Sequence, residues 1–261
     1  MFDFDPIKHF LLVFGLCIIR LMAAASVAPF LSSKMIQGRV RNSIIFGIGV
    51  IIYPIVSPSL DGNLDSVFTI FGIVAKEVFI GILMGFMASK LFWIAMSVGY
   101  FIDNQRGASM ASVFDPTTGE QTSPFGLFLQ QTLVTLFFVS GGFLVFLSAL
   151  FQSYLMWPID SFSPTLNENF PTFFLGIADG LMKTAVVLAA PVVITVFVSE
   201  FGLGLMNRFA PQLNVFVLAM PVKSLVAMIV LVIYLPLLLI LFQEEFTGGD
   251  EMLSLLDGLL T

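Results

Sequence analysis

The chain has 261 residues, 58% of them hydrophobic and only 11% charged, with 30 phenylalanines and a mean hydropathy of +1.01. Soluble domains carry roughly a quarter charged residues, so a water-exposed globule is excluded and the class is an all-α, polytopic helical membrane protein. A net charge of −6 without any Lys/Arg run excludes nucleic-acid binding, and a single cysteine (Cys17) and histidine (His9) exclude an internal disulfide, a Cys/His zinc site and a histidine-based triad in the body of the chain.

Apolar stretches of about 20 residues mark bilayer-length helices, and they predict six segments, at 9–31, 43–58, 67–98, 125–151, 172–206 and 215–243. The first reads as a retained helix with His9 at its boundary. Asp3 and Asp5 make its start acidic and Arg20 interrupts it, whereas a cleavable signal has a basic start and an unbroken core. The second is short, with Pro54 and Pro58 expected to end it early. The third and fifth are too long for one simple crossing and carry Lys76, Glu77 and Lys90, and Asp179, Lys183 and Glu200; tilted, broken or partly lipid-embedded helices are expected there. From 244 onward an acidic stretch with a Gly248-Gly249 hinge reads as a short amphipathic tail, which divides the chain into a membrane domain (1–243) and a tail (244–261). Lys34, Arg39, Arg41, Arg106 and Arg208 fall in alternate connections, so the positive-inside rule puts 32–42, 99–124 and 207–214 on the cytoplasmic side.

Residues 99–124 stand apart because they are polar within an otherwise apolar chain. They collect Asp103, Asn104, Gln105, Arg106, Asp115, Glu120 and Gln121, lack helical periodicity, and close on a turn-like Asp115-Pro116-Thr-Thr-Gly119. Non-helical backbone at membrane depth must be buried in protein or line a watery cavity, and a loop of this length generally carries function. The expectation is a functional loop.

Charges within apolar segments are costly and mark functional candidates. Lys76 and Glu77 are adjacent, pointing about 100° apart on a helix, and are expected to pair poorly; Asp179 and Lys183, four apart, share a face. Arg20, Glu200 and Lys223 need partners from other helices or chains. Three readings stand: a proton or ion relay, salt bridges that hold helices together within a large assembly, or side chains that face water. Gly81-Ile-Leu-Met-Gly85 and Gly176-Ile-Ala-Asp-Gly180 have the spacing that lets helix backbones approach closely.

Several strings together resemble one family. Ile102-Asp103-Asn104-Gln105-Arg106-Gly107-Ala108 looks like the signature of the T subunit of the type III secretion export apparatus, the counterpart of the flagellar R-type export protein. Val40-Arg41-Asn42, Lys76-Glu77 before Gly81, Ser140-Gly141-Gly142, and Arg208-Phe-Ala-Pro-Gln-Leu-Asn214 leading to Met220-Pro-Val-Lys-Ser224 fit the same pattern in order, so the resemblance covers roughly 10–245 and is nearer the injectisome than the flagellar form.

That resemblance implies a structural and gating component of an inner-membrane export channel, part of a helical hetero-oligomeric export gate built with R and S subunits and adjoining the U subunit. It also implies long antiparallel helical hairpins, contact with membrane lipid, and unfolded secreted proteins passing through the centre. No cofactor is implied. The family's channel loop maps onto Arg106, Gly107, Ala108, Ser109, Met110, Ala111, Ser112, Val113 and Phe114 and on to 124, with Asp103, Asn104 and Gln105 as its anchor. Small residues there can be displaced by a passing chain, while Met110, Val113 and Phe114 supply deformable apolar bulk. Arg20, Lys76, Glu77, Asp179, Lys183, Glu200, Arg208 and Lys223 are then buried charges that serve subunit packing. The alternative, a secondary transporter or ion channel, predicts matching halves around a midplane site, and no matching halves occur. An intramembrane enzyme would need a metal motif or a nucleophile elbow, and the sequence has neither.

Overall fold

A computed structural model describes residues 5–32, 35–56, 67–108, 113–114, 121–159, 170–209 and 215–247. Among them are seven α-helices: α1 (Asp5–Val27), α2 (Gly38–Val56), α3 (Val67–Gln105), α4 (Pro124–Val139), α5 (Gly142–Met156), α6 (Phe170–Phe209) and α7 (Val215–Thr247). A 3-10 turn (Pro29–Leu31) and a two-residue antiparallel ladder, β1 (Val113–Phe114) with β2 (Gln121–Thr122), complete the described elements. Five of the helices are long and apolar enough to cross a membrane, or six spans if α4 and α5 count as one, so the chain is a polytopic helical membrane protein.

The helices differ from the predicted segments in instructive ways. The fourth segment is two helices, because Ser140 ends α4 and Gly141 adopts φ +83°, a left-handed conformation that glycine alone takes without strain. The third and fifth are unbroken at 39 and 40 residues, α6 running through Pro191. Pro54 likewise lies inside α2, which ends soon after it at Val56 and so forfeits little. Residues 99–105 are helical instead of loop: Ala95, Val98 and Ile102 continue a buried stripe at helical spacing, and that burial carries α3 through its polar last turn. At the other end of the chain α7 continues to Thr247, bearing Glu244 and Glu245.

The described helices divide into two compact units. The first holds α1, α2, α3 as far as Ser89, and α5. On α1 the buried positions Val13, Leu16, Cys17, Arg20, Leu21 and Ala24 form a stripe at the spacing of a packed helix face. Across from it α3 presents Gly81 and Gly85, where an added Cβ would lie 2.3 Å from the Arg20 carbonyl oxygen and 2.5 Å from that of Ala24. The Gly-x-x-x-Gly spacing thus brings two helix backbones into contact.

At this crossing lies a buried polar cluster. The fully buried Arg20 donates from Nε to Glu77 Oε2 at 2.7 Å and from Nη2 to Glu77 Oε1 at 3.0 Å. Its remaining N–H groups reach Ser153 Oγ (3.0 Å) and the Trp157 carbonyl (2.9 Å), and the guanidinium sits 4.0 Å over the Tyr154 ring. Lys76 Nζ donates to the carbonyls of Pro158 (2.7 Å) and Ile159 (3.0 Å) and lies 3.2 Å from Glu77 Oε1. The expectation that Lys76 and Glu77 would pair poorly is corrected: the long lysine stem swings round to the backbone carbonyls just past α5, and Glu77 faces the same corner. A bidentate Arg–carboxylate pair with further hydrogen bonds from the guanidinium is the arrangement in which buried charge is tolerated.

The second unit holds α3 from Lys90, α4, α6 from Thr172, and α7. Phe92, Phe137 and Phe246 meet at ring centroid distances of 5.0–5.6 Å from α3, α4 and α7. A Cβ on Gly99 would lie 2.2 Å from the Gly126 nitrogen, so α3 and α4 touch backbone to backbone there. Only 22% of the apolar windows of α6 and α7 is buried by the chain, against 50% for α1 and α3. Val187, Ile194 and Phe201 on α6, and Met228, Val232 and Ile233 on α7, therefore face outward to a medium other than water.

Two outcomes are expected. Glu77→Gln alone should destabilise the detergent-solubilised protein by about 3–5 kcal/mol, because it strands the Arg20 charge, whereas adding Arg20→Met should recover much of that loss in thermal unfolding. Gly81→Ala should cost about 3 kcal/mol by forcing α1 and α3 apart. Gly180→Ala, with open space at its Cβ, should be neutral or stabilising by under about 1 kcal/mol; equal effects at the two glycines would refute the close crossing.

Candidate functional site

The last turn of α3 buries Ile102 and Asp103 and exposes Asn104. The Arg106 N–H still donates to the Ile102 carbonyl at 3.1 Å, and the Gly107 N–H to that of Asn104 at 3.1 Å. Gly107 then takes φ +84°, the left-handed residue that stops a helix, and the chain leaves the helix axis. At the far end Ser123 caps α4 by accepting from the Gly126 N–H at 2.9 Å, with Pro124 at the first helical position.

One carboxylate joins these two ends. Asp103 Oδ1 accepts from Arg106 Nε at 2.7 Å and lies 2.6 Å from Arg106 Nη2. Its Oδ2 accepts from Ser123 Oγ and from the Phe125 N–H at 3.0 Å. The Arg106 guanidinium also sits 4.2 Å over the Phe125 ring. Asp103 therefore fastens the exit of α3 to the entrance of α4, and its negative charge lies at the positive end of the α4 dipole. Charge-assisted bonds of this kind are roughly twice as strong as neutral ones. Beneath the clasp, the Gly99–Gly126 contact brings the two backbones together.

The described elements of the insertion are residues 106–108 and the ladder pairing Val113 with Thr122 and Phe114 with Gln121. Of the residues assigned to the channel loop, Ser109, Met110, Ala111 and Ser112 lie outside the described residues. Of the expected anchors, Asp103 makes the bonds above and Asn104 contributes its carbonyl. Gln105 Nε2 lies 3.5 Å from Glu200 Oε2, and Glu200 Oε1 is 3.0 Å from Lys223 Nζ. Sequence reasoning missed Ser123, Phe125 and the Gly99–Gly126 pair. The Ser123-Pro124 cap was readable as a helix start; the contacts across the insertion left no local signal.

The charges named for packing separate into two groups. Arg20, Lys76, Glu77 and Lys223 are buried within the chain, whereas Asp179, Lys183, Glu200 and Arg208 are exposed on it and so are not buried charges of the isolated subunit. Asp179 and Lys183, four apart on α6, are both exposed and form no ion pair with each other among the described residues.

The family model described as bacterial export proteins, family 1, matches residues 11–249. The chain is 46% identical over 231 residues to the Yop proteins translocation protein T of Yersinia pestis, covering 88% of each chain. It is 34% identical over 236 residues to the surface presentation of antigens protein SpaR of Shigella flexneri, again 88% of each. With the flagellar biosynthetic protein FliR of Bacillus subtilis it shares 29% identity over 245 residues, 93% of this chain and 92% of that one. The chain belongs to the bacterial export proteins, family 1, within the type III secretion T-subunit family related to flagellar FliR.

Proposed function

We propose that this protein is a structural and gating component of the type III secretion export apparatus, sited in the bacterial inner membrane and forming the export channel with R and S subunits and the adjoining U subunit. On this reading residues 106–124 close the bore to ions and small solutes and yield to an unfolded protein in transit. The observation that carries it is the Asp103 clasp: one buried carboxylate holds both ends of a polar insertion whose described middle is held by a two-residue ladder.

The chemistry suits a reversible seal. Two-stranded ribbons are marginal in water, so the ladder opens at small cost. Gly107, Ala108, Ser109, Ala111 and Ser112 are small residue types that a passing chain could displace, while Met110, Val113 and Phe114 supply apolar bulk that adapts its shape. The root stays fixed, so the segment returns to the same place after each passage. Energy for transport comes from elsewhere, since the sequence has no glycine-rich phosphate loop followed by lysine. Asp179 and Lys183, exposed on an apolar helix, are suited to ion pairs with neighbouring subunits.

Deleting residues 107–120 should leave assembly with R and S subunits intact and raise the small-solute permeability of cells that express the complex. Asp103→Ala should give a smaller leak, because the insertion remains but one end is loosened. Normal assembly with unchanged permeability in the deletion would remove the gating role; failure to assemble would instead place these residues among the packing contacts.

A further inference from the structure

The second unit contains a cavity of about 390 Å³ between α3, α6 and α7, a size in the range of roughly 300–1,000 Å³ typical of ligand sites. Its walls are apolar, with Leu188 and Phe242 among them, and its polar groups are Lys90, Thr184, Glu244 and Glu245. Lys90 Nζ is 4.0 Å from Glu245 Oε1, and the two side chains are 32% and 43% exposed. This is the longest of the ion pairs among the described residues, and both of its side chains are part-exposed.

The position of the cavity along α7 decides what kind of ligand fits. The apolar span of α7 runs from Ala219 to Phe246, so Glu244 and Glu245 lie in its polar last turn, where a bilayer-crossing helix would meet headgroups. Leu241 lies half-exposed at the same mouth and continues the outward apolar face of α7 toward the bilayer. One cation, a hydroxyl and two carboxylates at an interface, above an apolar trough, complement a zwitterionic headgroup. The phosphate would accept from Lys90 and Thr184, and an ammonium group would donate to the carboxylates. An anionic headgroup would compete with Glu245 for Lys90 and supply no donor to the carboxylates.

We propose that this cavity binds a phospholipid with a primary-amine headgroup of the phosphatidylethanolamine class, its acyl chains lying along α6 and α7. A primary ammonium donates up to three hydrogen bonds where a quaternary one donates none, so the site distinguishes this lipid from phosphatidylcholine as well as from phosphatidylglycerol.

The test uses the full chain in mild detergent, mixed with micelles that carry phosphatidylethanolamine, phosphatidylcholine or phosphatidylglycerol in turn, with retained lipid counted by native mass spectrometry. Phosphatidylethanolamine should be retained about tenfold more strongly than either of the others, the difference expected from one charge-assisted hydrogen bond. The Glu244→Gln/Glu245→Gln variant should lose that discrimination and Lys90→Gln should lose retention, while Lys183→Gln, on α6 outside the cavity, should behave as the parent. All three variants carry exposed or half-exposed substitutions, and unchanged helical circular dichroism would show that each remains folded. Equal retention of the three lipids, preference for phosphatidylglycerol, or full retention by Lys90→Gln would overturn the proposal. Retention of none would overturn it too and leave the cavity to a side chain of a neighbouring subunit.

Discussion

A charge removed from water must be answered by charge or by hydrogen bonds, and the structure depends on how two carboxylates meet that requirement. Glu77 is fully buried and accepts two N–H groups of Arg20, with Lys76 close by. Asp103 accepts from Arg106, Ser123 and the Phe125 amide. In each case one side chain on α3 ties together segments far apart in sequence. An apolar neighbour could pack equally well in several registers, whereas an unpaired buried carboxylate costs several kcal/mol, so the charged contact fixes the register that the apolar faces leave open.

Close backbone contact is the second constraint, and it works alongside the first. Gly81 lies against the Arg20 carbonyl in the same crossing where the Arg20 side chain reaches Glu77. Gly99 lies against Gly126 one turn below Asp103 and beside the α4 amides that Asp103 accepts. Buried ion pairs in apolar surroundings need well-aligned geometry, and absent side chains let the helices come near enough to provide it. Gly176 and Gly180 have the same spacing but meet nothing within the chain. Spacing alone therefore does not say whether a glycine face is used within a subunit.

Much of the fold was readable from composition and apolar run length, because lipid-facing helices leave long uninterrupted signals; α1, α6 and α7 begin or end within a few residues of where those runs do. The errors have physical causes. Polarity at residues 99–105 masked a helical turn whose inward positions, Val98 and Ile102, are apolar. The break between α4 and α5 rests on the positive φ of Gly141, which a hydropathy average cannot register. At the candidate site, the importance of Asp103 and Arg106 was legible because charge is rare in this chain. The partners Ser123 and Phe125 were not, since their role comes from the path of the backbone and not from any pattern near them.

The distribution of bond strength along the insertion bears on how a closure of this kind could open without losing its place. At the root, Asp103 and Arg106 make charge-assisted bonds that are largely shielded from water, where such bonds are strongest. Farther out, the described pairing is a ladder of two residues on each strand, far below what independent stability needs. A force applied at the centre by a moving chain would therefore separate the ladder well before the clasp. The entropy cost of re-forming the ladder stays low, because both ends are already held together and loop closure depends only weakly on length. A strong root with a two-residue ladder as its described pairing is thus the order of stabilities that the proposed seal requires, and reversing it would give an insertion that is either permanently shut or lost after one passage.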